Sequence, residues 1–220
     1  VKHAPSCARW GTGSVSPGFT ALEPGRVAVS VWIRGCAFRG QYGVVDIRDG
    51  HVVGDRGLRV PVRPMVGVLG TAPLIEAVST MDNGPHGGNL DVQELAAGTT
   101  VYLPINVDGA LMFLGDCHAV QGDGELCGCG AIEVRTFTTV TVDLIDRPTA
   151  MVWPRLETDE HIGTIACARP LEEAFRLPVE DLINWRFQAD GFTTVAALLL
   201  MGQVAGHEDT LCATPKYQNV

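Results

Sequence analysis

Glycine and proline decide most of what this chain can become. The 220 residues include 26 glycines and 13 prolines, and these punctuate most of the chain before about Pro170. A helical bundle needs long uninterrupted segments. A β-rich fold needs many tight turns, and glycine and proline supply the backbone angles those turns require. The length suits one domain, and with 46% hydrophobic and 19% charged residues the chain has enough apolar material to bury a core, unlike a disordered sequence.

Val1 to Pro24 is rich in Gly, Pro and Ser, has no periodicity, and reads as irregular surface chain. Strands are expected at Arg26 to Ile33, Val44 to Ile47 and His51 to Val53. The last two are joined by a hairpin at Arg48-Asp49-Gly50, because Asp-Gly tolerates positive φ. Two prolines restrict Arg59 to Val68 to an edge or irregular extended segment. Gly67 to Pro73 reads as a close-packed turn and Ser79 to Gly88 as a polar, glycine-rich loop. Strands at Thr100 to Ile105 and Ala110 to Leu114 flank the turn Asn106 to Gly109. Ile132 to Leu144 alternates: Ile132, Val134, Val140, Val142 and Leu144 share one face, and Arg135, Thr139, Thr141 and Asp143 take the other. That pattern predicts a long, half-exposed strand.

The spacing turns helical after about Pro170. Leu171 to Ala189 predicts two helical pieces divided at Pro178, the second favoured by Glu180 and Asp181 at its amino end. Thr193 or Thr194 caps a last, almost wholly apolar helix to Val204, which on that composition has to be buried. The expected architecture is mainly β, a β-sandwich or barrel-like body with a few helices packed on it near the carboxyl end. It is one domain over 1–220, with 1–24 irregular, 25–169 a β-rich body and 170–220 a helical tail.

Charge narrows the partners. A formal net charge of −9 and the lack of any Lys/Arg run disfavour nucleic acid and anionic membrane surfaces. The longest apolar run, Val195 to Met201, is too short to span a bilayer, and nothing resembles a signal peptide. Seven cysteines at irregular spacing suggest buried free thiols of a reducing cytoplasm. Cys127 and Cys129 lack the two-residue spacing of a zinc knuckle.

Two segments carry chemistry: His86-Gly87-Gly88-Asn89-Leu90-Asp91, and Gly115-Asp116-Cys117-His118 running on through Gln121-Gly122-Asp123-Gly124-Glu125 to Ala131-Ile132-Glu133. In extended chain Asp116 and His118 point to one face, and a carboxylate beside an imidazole is a divalent-metal half-site. Glu125, Cys127, Cys129, Ala131 and Glu133 share parity, so two carboxylates could face one cleft. Cys117 adjoins His118 but points to the opposite face, which argues against a cysteine nucleophile.

The run Gly-Asp-x-His-x-x-Gln-Gly-Asp-Gly-Glu at Gly115 to Glu125 resembles the hallmark of the acetamidase/formamidase family. The segments at His86 to Asp91, Gly67 to Pro73, Val101 to Ala110 and Ala131 to Glu133 lie in that family's order. The resemblance implies hydrolysis of a short amide, formamide- or acetamide-like, or of a small lactam, to the acid and ammonia or amine. It also implies a divalent cation, with zinc the expected ion. On that basis His118, Asp116 and Asp91 are the expected metal ligands, Glu125 the general base with Glu133 next in line, and Asn89 an oxyanion partner. His86, Gly87 and Gly88 are the expected substrate-binding residues. The resemblance also implies an amino-terminal portion ahead of the matched region, which this chain is expected to lack. The expectation is therefore a homo-oligomer, or a complex with a chain supplying that portion. A non-catalytic metal- or ligand-binding β-subunit is the alternative.

Overall fold

The computed structural model describes residues 6–11, 25–29, 41–125, 128–146, 151–187, 190–206 and 218–219. In chain order the strands are β1 (Ser6–Gly11), β2 (Gly25–Val29), β3 (Gln41–Arg48), β4 (His51–Val53), β5 (Arg59–Pro61), β6 (Met65–Gly70), β7 (Asn83–Gly84) and β8 (Gly87–Asn89). They continue as β9 (Thr100–Pro104), β10 (Phe113–His118), β11 (Gly128–Glu133), β12 (Thr141–Asp146), β13 (Arg155–Glu157) and β14 (Ile162–Thr164). The short β15 (Cys167–Ala168) precedes helices α1 (Leu171–Leu182) and α2 (Thr194–Val204), and β16 (Gln218–Asn219) pairs back with β15.

Two antiparallel sheets make the body. One runs β12-β1-β9-β13-β14 and the other β5-β4-β3-β2-β11-β10-β6-β8-β7. Among the described residues neither closes into a barrel, so the sandwich half of the expectation is the one that holds. The core lies between the sheets: Val66 and Leu69 of β6 meet Val101 and Leu103 of β9 and Leu156 of β13, with Leu90, Val92, Leu95 and Ile165 completing the cluster. Thr71, fully buried just past β6, ties the layers together by donating its hydroxyl to the Pro104 carbonyl at 2.6 Å.

Local chemistry explains several elements directly. Asp49 and Gly50, with φ of 49° and 69°, close the β3–β4 hairpin as their residue types predict. Pro61 sits in β5, at the edge of its sheet, where a missing N–H costs no ladder bond. Other expectations are corrected. Ser6–Gly11 is a strand paired on both sides, not irregular chain; the rest of 1–24, and residues 30–33 of the second expected strand, lie outside the described residues. The Gly67 to Pro73 turn begins inside β6, a strand buried at every position. The latter part of the loop expected at Ser79 to Gly88 is a tight hairpin, its strands β7 and β8 buried and only Pro85 at its tip exposed. The strand expected at Ala110 starts only at Phe113, because Ala110 and Leu111 hold φ of 56° and 47°. The alternation from Ile132 to Leu144 spans two strands, since the chain leaves one sheet after Glu133 and enters the other at Thr141.

The helices differ as well. Pro178 sits inside α1 without dividing it. Ala174, Pro178 and Asp181, at i, i+4 and i+7, are its buried face, and Asp181 receives Arg155 through Nε at 2.7 Å and Nη2 at 2.9 Å. That anchoring outweighs the lost helical bond. Thr193 caps α2, accepting from Ala196 N at 3.2 Å. Yet α2 is not buried: Ala197 and Met201 pack on Ile183, while Val195, Leu199 and Val204 are 67%, 65% and 71% exposed. Among the described residues, no helix is long and apolar enough to cross a membrane.

Candidate active site

The site forms where the pairing of β6 and β10 is interrupted. Their ladder joins Gly115 to Val68 and Cys117 to Val66. Asp116, between them and opposite Gly67, turns to φ 50°. The Gly67 carbonyl accepts from the N–H of both Leu90 and Asp91, at 3.0 and 3.1 Å, which brings the segment after β8 across the same point. Asp91 also has φ 50°, and Glu125, at the end of the short 3-10 turn Asp123–Glu125, has φ 39°. Seven described non-glycine residues have positive φ, and three are these acids. Each such conformation costs on the order of 1 kcal/mol or more and persists where surrounding structure imposes it, commonly at functional sites.

Gly67 is what gives the cluster room. A Cβ there would lie 2.6 Å from Asp91 Oδ1, 2.7 Å from the Asp116 carbonyl and 3.0 Å from His118 Cε1. Into the space sit one oxygen of Asp91 and the imidazole edge of His118, both essentially out of solvent. His118 Nε2 is 3.4 Å from Asp116 Oδ1, and Nδ1 is 3.9 Å from Asp91 Oδ1. On its other side Nδ1 is 2.9 Å from Gln121 Oε1. Gln121 Nε2 in turn donates to the Asp91 carbonyl at 2.5 Å. Asn89 Nδ2 donates to Asp91 Oδ2 at 2.7 Å. Glu125 Oε1 accepts from Ala131 N at 3.3 Å.

Burial and mutual charge shift the titrations of Asp91, His118 and Glu125. Burial, then the charge of Glu125, pushes Asp91 up to about 8, and His118 only partly offsets them. Glu125 is likewise raised, chiefly by burial. For His118 burial alone pushes the pKa down, but the hydrogen bond to Asp116 and the charges of Asp91, Asp116 and Glu125 outweigh it and the net shift is upward. Between an unfolded carboxyl's ordinary value and about 8, folded Asp91 holds a proton that the unfolded chain has lost. The metal-free protein therefore loses stability as pH rises through that window, and raised His118 acts in the same direction.

A divalent cation answers this arrangement. Ligating atoms of Asp91, Asp116 and His118 all lie within 4.8 Å of one another. Asp91 Oδ1 is buried without a hydrogen-bond partner, and an imidazole with two carboxylates is a donor set suited to zinc and similar ions. The residues present fit such a group.

The structure thus brings together Asp91, Asp116, His118, Glu125 and Asn89 from the two motifs. Glu133 lies across the β10–β11 ladder from His118 and is exposed. His86 is buried beside Phe113, ring centroids 6.3 Å apart, and burial lowers its pKa. Gly87 and Gly88, with φ of 93° and 106°, have a packing duty: a Cβ on either would come within 2.3 Å of the Leu69 carbonyl or 2.2 Å of that of Asp82. Cys117 turns to the core cluster, its Sγ 3.8 Å from Thr138 Oγ1, and Cys127 lies outside the described residues. Two site residues escaped sequence reasoning. Gln121 stands three residues after His118 within the motif, a spacing that invited the question. Gly67 carries no signal of its own, because its role depends on what β8 and β10 place beside it.

The acetamidase/formamidase family model matches residues 74–162. A formamidase from Methylophilus methylotrophus is 41% identical over 70 residues, 32% of this chain and 17% of that protein. An acetamidase from Mycolicibacterium smegmatis is 31% identical over 146 residues, 61% of this chain and 33% of that one. The matched segments thus span a third or less of those enzymes' length. Among solved structures, an acetamidase from Bacillus halodurans is 30% identical with a TM-score of 0.85, covering 97% of this chain and 72% of the other. A predicted acetamidase/formamidase from Thermoanaerobacter tengcongensis is 29% identical with a TM-score of 0.88, covering 98% and 71%.

Proposed function

Because this chain belongs to the acetamidase/formamidase family, we propose that it hydrolyses a short amide, formamide- or acetamide-like, or a small lactam, using a divalent cation held by Asp91, Asp116 and His118. The observation that carries this is the convergence of those three ligating groups within 4.8 Å, Asp91 and His118 buried and Asp116 open to solvent. Zinc is the ion we favour, on the strength of the imidazole and carboxylate donors.

The cation supplies Lewis acidity toward the amide carbonyl and the attacking water. Glu125 takes the water's proton and returns it to the departing nitrogen. Its raised pKa brings it toward neutrality, where a carboxyl can both accept and release a proton. The Ala131 N–H holds Oε1 in place, and Asn89 fixes Asp91. The burial of His118, Asp91 and Glu125 lowers the local dielectric, which strengthens every charge interaction on the reacting group.

Ammonia release from formamide and acetamide, measured before and after chelation and on adding back Zn²⁺, tests the proposal. Turnover that appears with the cation and vanishes without it is expected. Turnover indifferent to chelation would refute the metal-dependent reading, and zinc uptake without turnover would favour the non-catalytic subunit.

A further inference from the structure

Gln121 has no role in the chemistry above, yet it is buried and touches two of the three proposed ligand residues. Its two contacts determine its orientation. A backbone carbonyl can only accept, so the Gln121 atom 2.5 Å from the Asp91 carbonyl has to be the amide nitrogen. The amide oxygen then faces His118 Nδ1 at 2.9 Å. An amide oxygen also only accepts, so Nδ1 has to carry a hydrogen. In a neutral imidazole the other nitrogen, Nε2, is then bare.

That bare nitrogen faces Asp116 Oδ1 at 3.4 Å. In the neutral imidazole these are two lone-pair donors facing each other, an arrangement that a proton on Nε2 or a metal cation between them relieves. We infer that Gln121 is the positioning residue of this site. It commits His118 to the Nδ1–H tautomer, leaves Nε2 as the ligating nitrogen toward Asp116, and through the Asp91 carbonyl ties the imidazole to the backbone of a second ligand. The last step, that Nε2 faces a metal, rests on the proposed function; the tautomer does not. Orienting hydrogen bonds of this kind are worth about 10–100-fold in metal affinity.

The experiment is heteronuclear NMR of the ¹⁵N-labelled, metal-free protein at alkaline pH, where the imidazoles are neutral, with His118→Ala assigning the signal. It is paired with Zn²⁺ titration of the wild type, Gln121→Met and Gln121→Glu. The expected wild-type His118 carries its hydrogen on Nδ1. Gln121→Met fills similar space but cannot accept. It should shift His118 toward the Nε2–H form and weaken Zn²⁺ about 10–100-fold. Gln121→Glu can still accept from Nδ1 and should keep the tautomer and recover much of the affinity. An Nε2–H tautomer in the wild type, or an unchanged tautomer and affinity in Gln121→Met, overturns the inference. Should Gln121→Met fail to fold, the wild-type tautomer alone still decides it. A wild type that shows Nδ1–H but takes up no Zn²⁺ would sink the metal reading and leave the role of Gln121 standing.

Discussion

Gly67→Ala is the sharpest perturbation the structure offers, because one methyl group would meet three site residues at once. The new Cβ would stand 2.6 Å from Asp91 Oδ1, 2.7 Å from the Asp116 carbonyl and 3.0 Å from His118 Cε1. Ordinary contact begins near 3.4 Å, so a separation of several tenths of an ångström has to open in each direction. None of these neighbours is free to retreat. Asp91 is held by Asn89 and Gln121, His118 by Gln121, and the Asp116 carbonyl is backbone. Overpacking of this kind costs about 1–3 kcal/mol. The alanine recovers about 0.5–1 kcal/mol of backbone entropy relative to glycine in a strand, leaving a net loss of roughly 1–2 kcal/mol. For a chain of this size that is a fall in Tm of very roughly 2–8 °C. The site suffers more than the fold, since displacing a catalytic group by about 1 Å costs on the order of 10²-fold. Gly115→Ala is the control, on the neighbouring strand and with nothing within 4 Å of its added Cβ; it should be neutral or slightly stabilising. Thermal melts and Zn²⁺ titrations of both variants are the assay. Equal melting temperatures and equal Zn²⁺ affinities for the two would refute the claim that Gly67 makes room for the site.

Three further expectations concern the residues around it. Glu125→Gln keeps the shape but cannot accept a proton, so amide turnover should fall by about 10²-fold or more while Zn²⁺ stays bound; near-normal turnover would move the base to Glu133. His118→Ala should lose Zn²⁺ with its far-ultraviolet dichroism intact, and unchanged metal content would show the ligand set to be wrong. Since Asp91 holds its proton up to about 8, Zn²⁺ has to displace that proton, and affinity should climb as pH rises toward that value. Calorimetry in buffers of different ionisation enthalpy checks the proton release, and an affinity flat in pH would contradict it.

The fold was legible where local chemistry acts alone. The Asp49-Gly50 hairpin, the edge position of Pro61 and the Thr193 cap each follow from one or two residues and their backbone preferences. It was illegible where distant partners decide. Nothing near Ser6 to Gly11 announces a strand; β9 and β12, some ninety and more residues away, make it one. The alternation holds from Ile132 to Val140, but Val142 and Leu144 are 51% and 68% exposed, and no residue in it records that the chain changes sheets. Pro178 looked like a break because the buried Arg155–Asp181 pair that holds α1 together spans 26 residues. The apolar composition of α2 demanded burial all round, whereas the cluster around Ile183 receives only the Ala197–Met201 stripe.

The site shows the same division more finely. Alternation along a strand correctly placed Asp116 beside His118, yet the structure achieves that nearness differently, with Asp116 leaving the ladder at φ 50° opposite a glycine. A sequence pattern can report that carboxylates and an imidazole recur at short spacing. It cannot report that Asp91 and Asp116 adopt left-handed conformations, because each is imposed by something remote, the Gly67 carbonyl that receives Leu90 and Asp91 and the missing Cβ of Gly67; only Glu125 is turned locally, its N–H donating to the Gly122 carbonyl at 3.2 Å. Departures from local preference are expected where function outweighs stability. Here the strained backbones, the raised pKa values of Asp91 and Glu125 and the unpaired Asp91 oxygen coincide in one cluster, buried at Asp91, His118 and Glu125. Each is unfavourable in the chain alone, and the proposed cation would relieve the charge repulsion and the unpaired oxygen together, so part of its binding energy would already be stored in the fold.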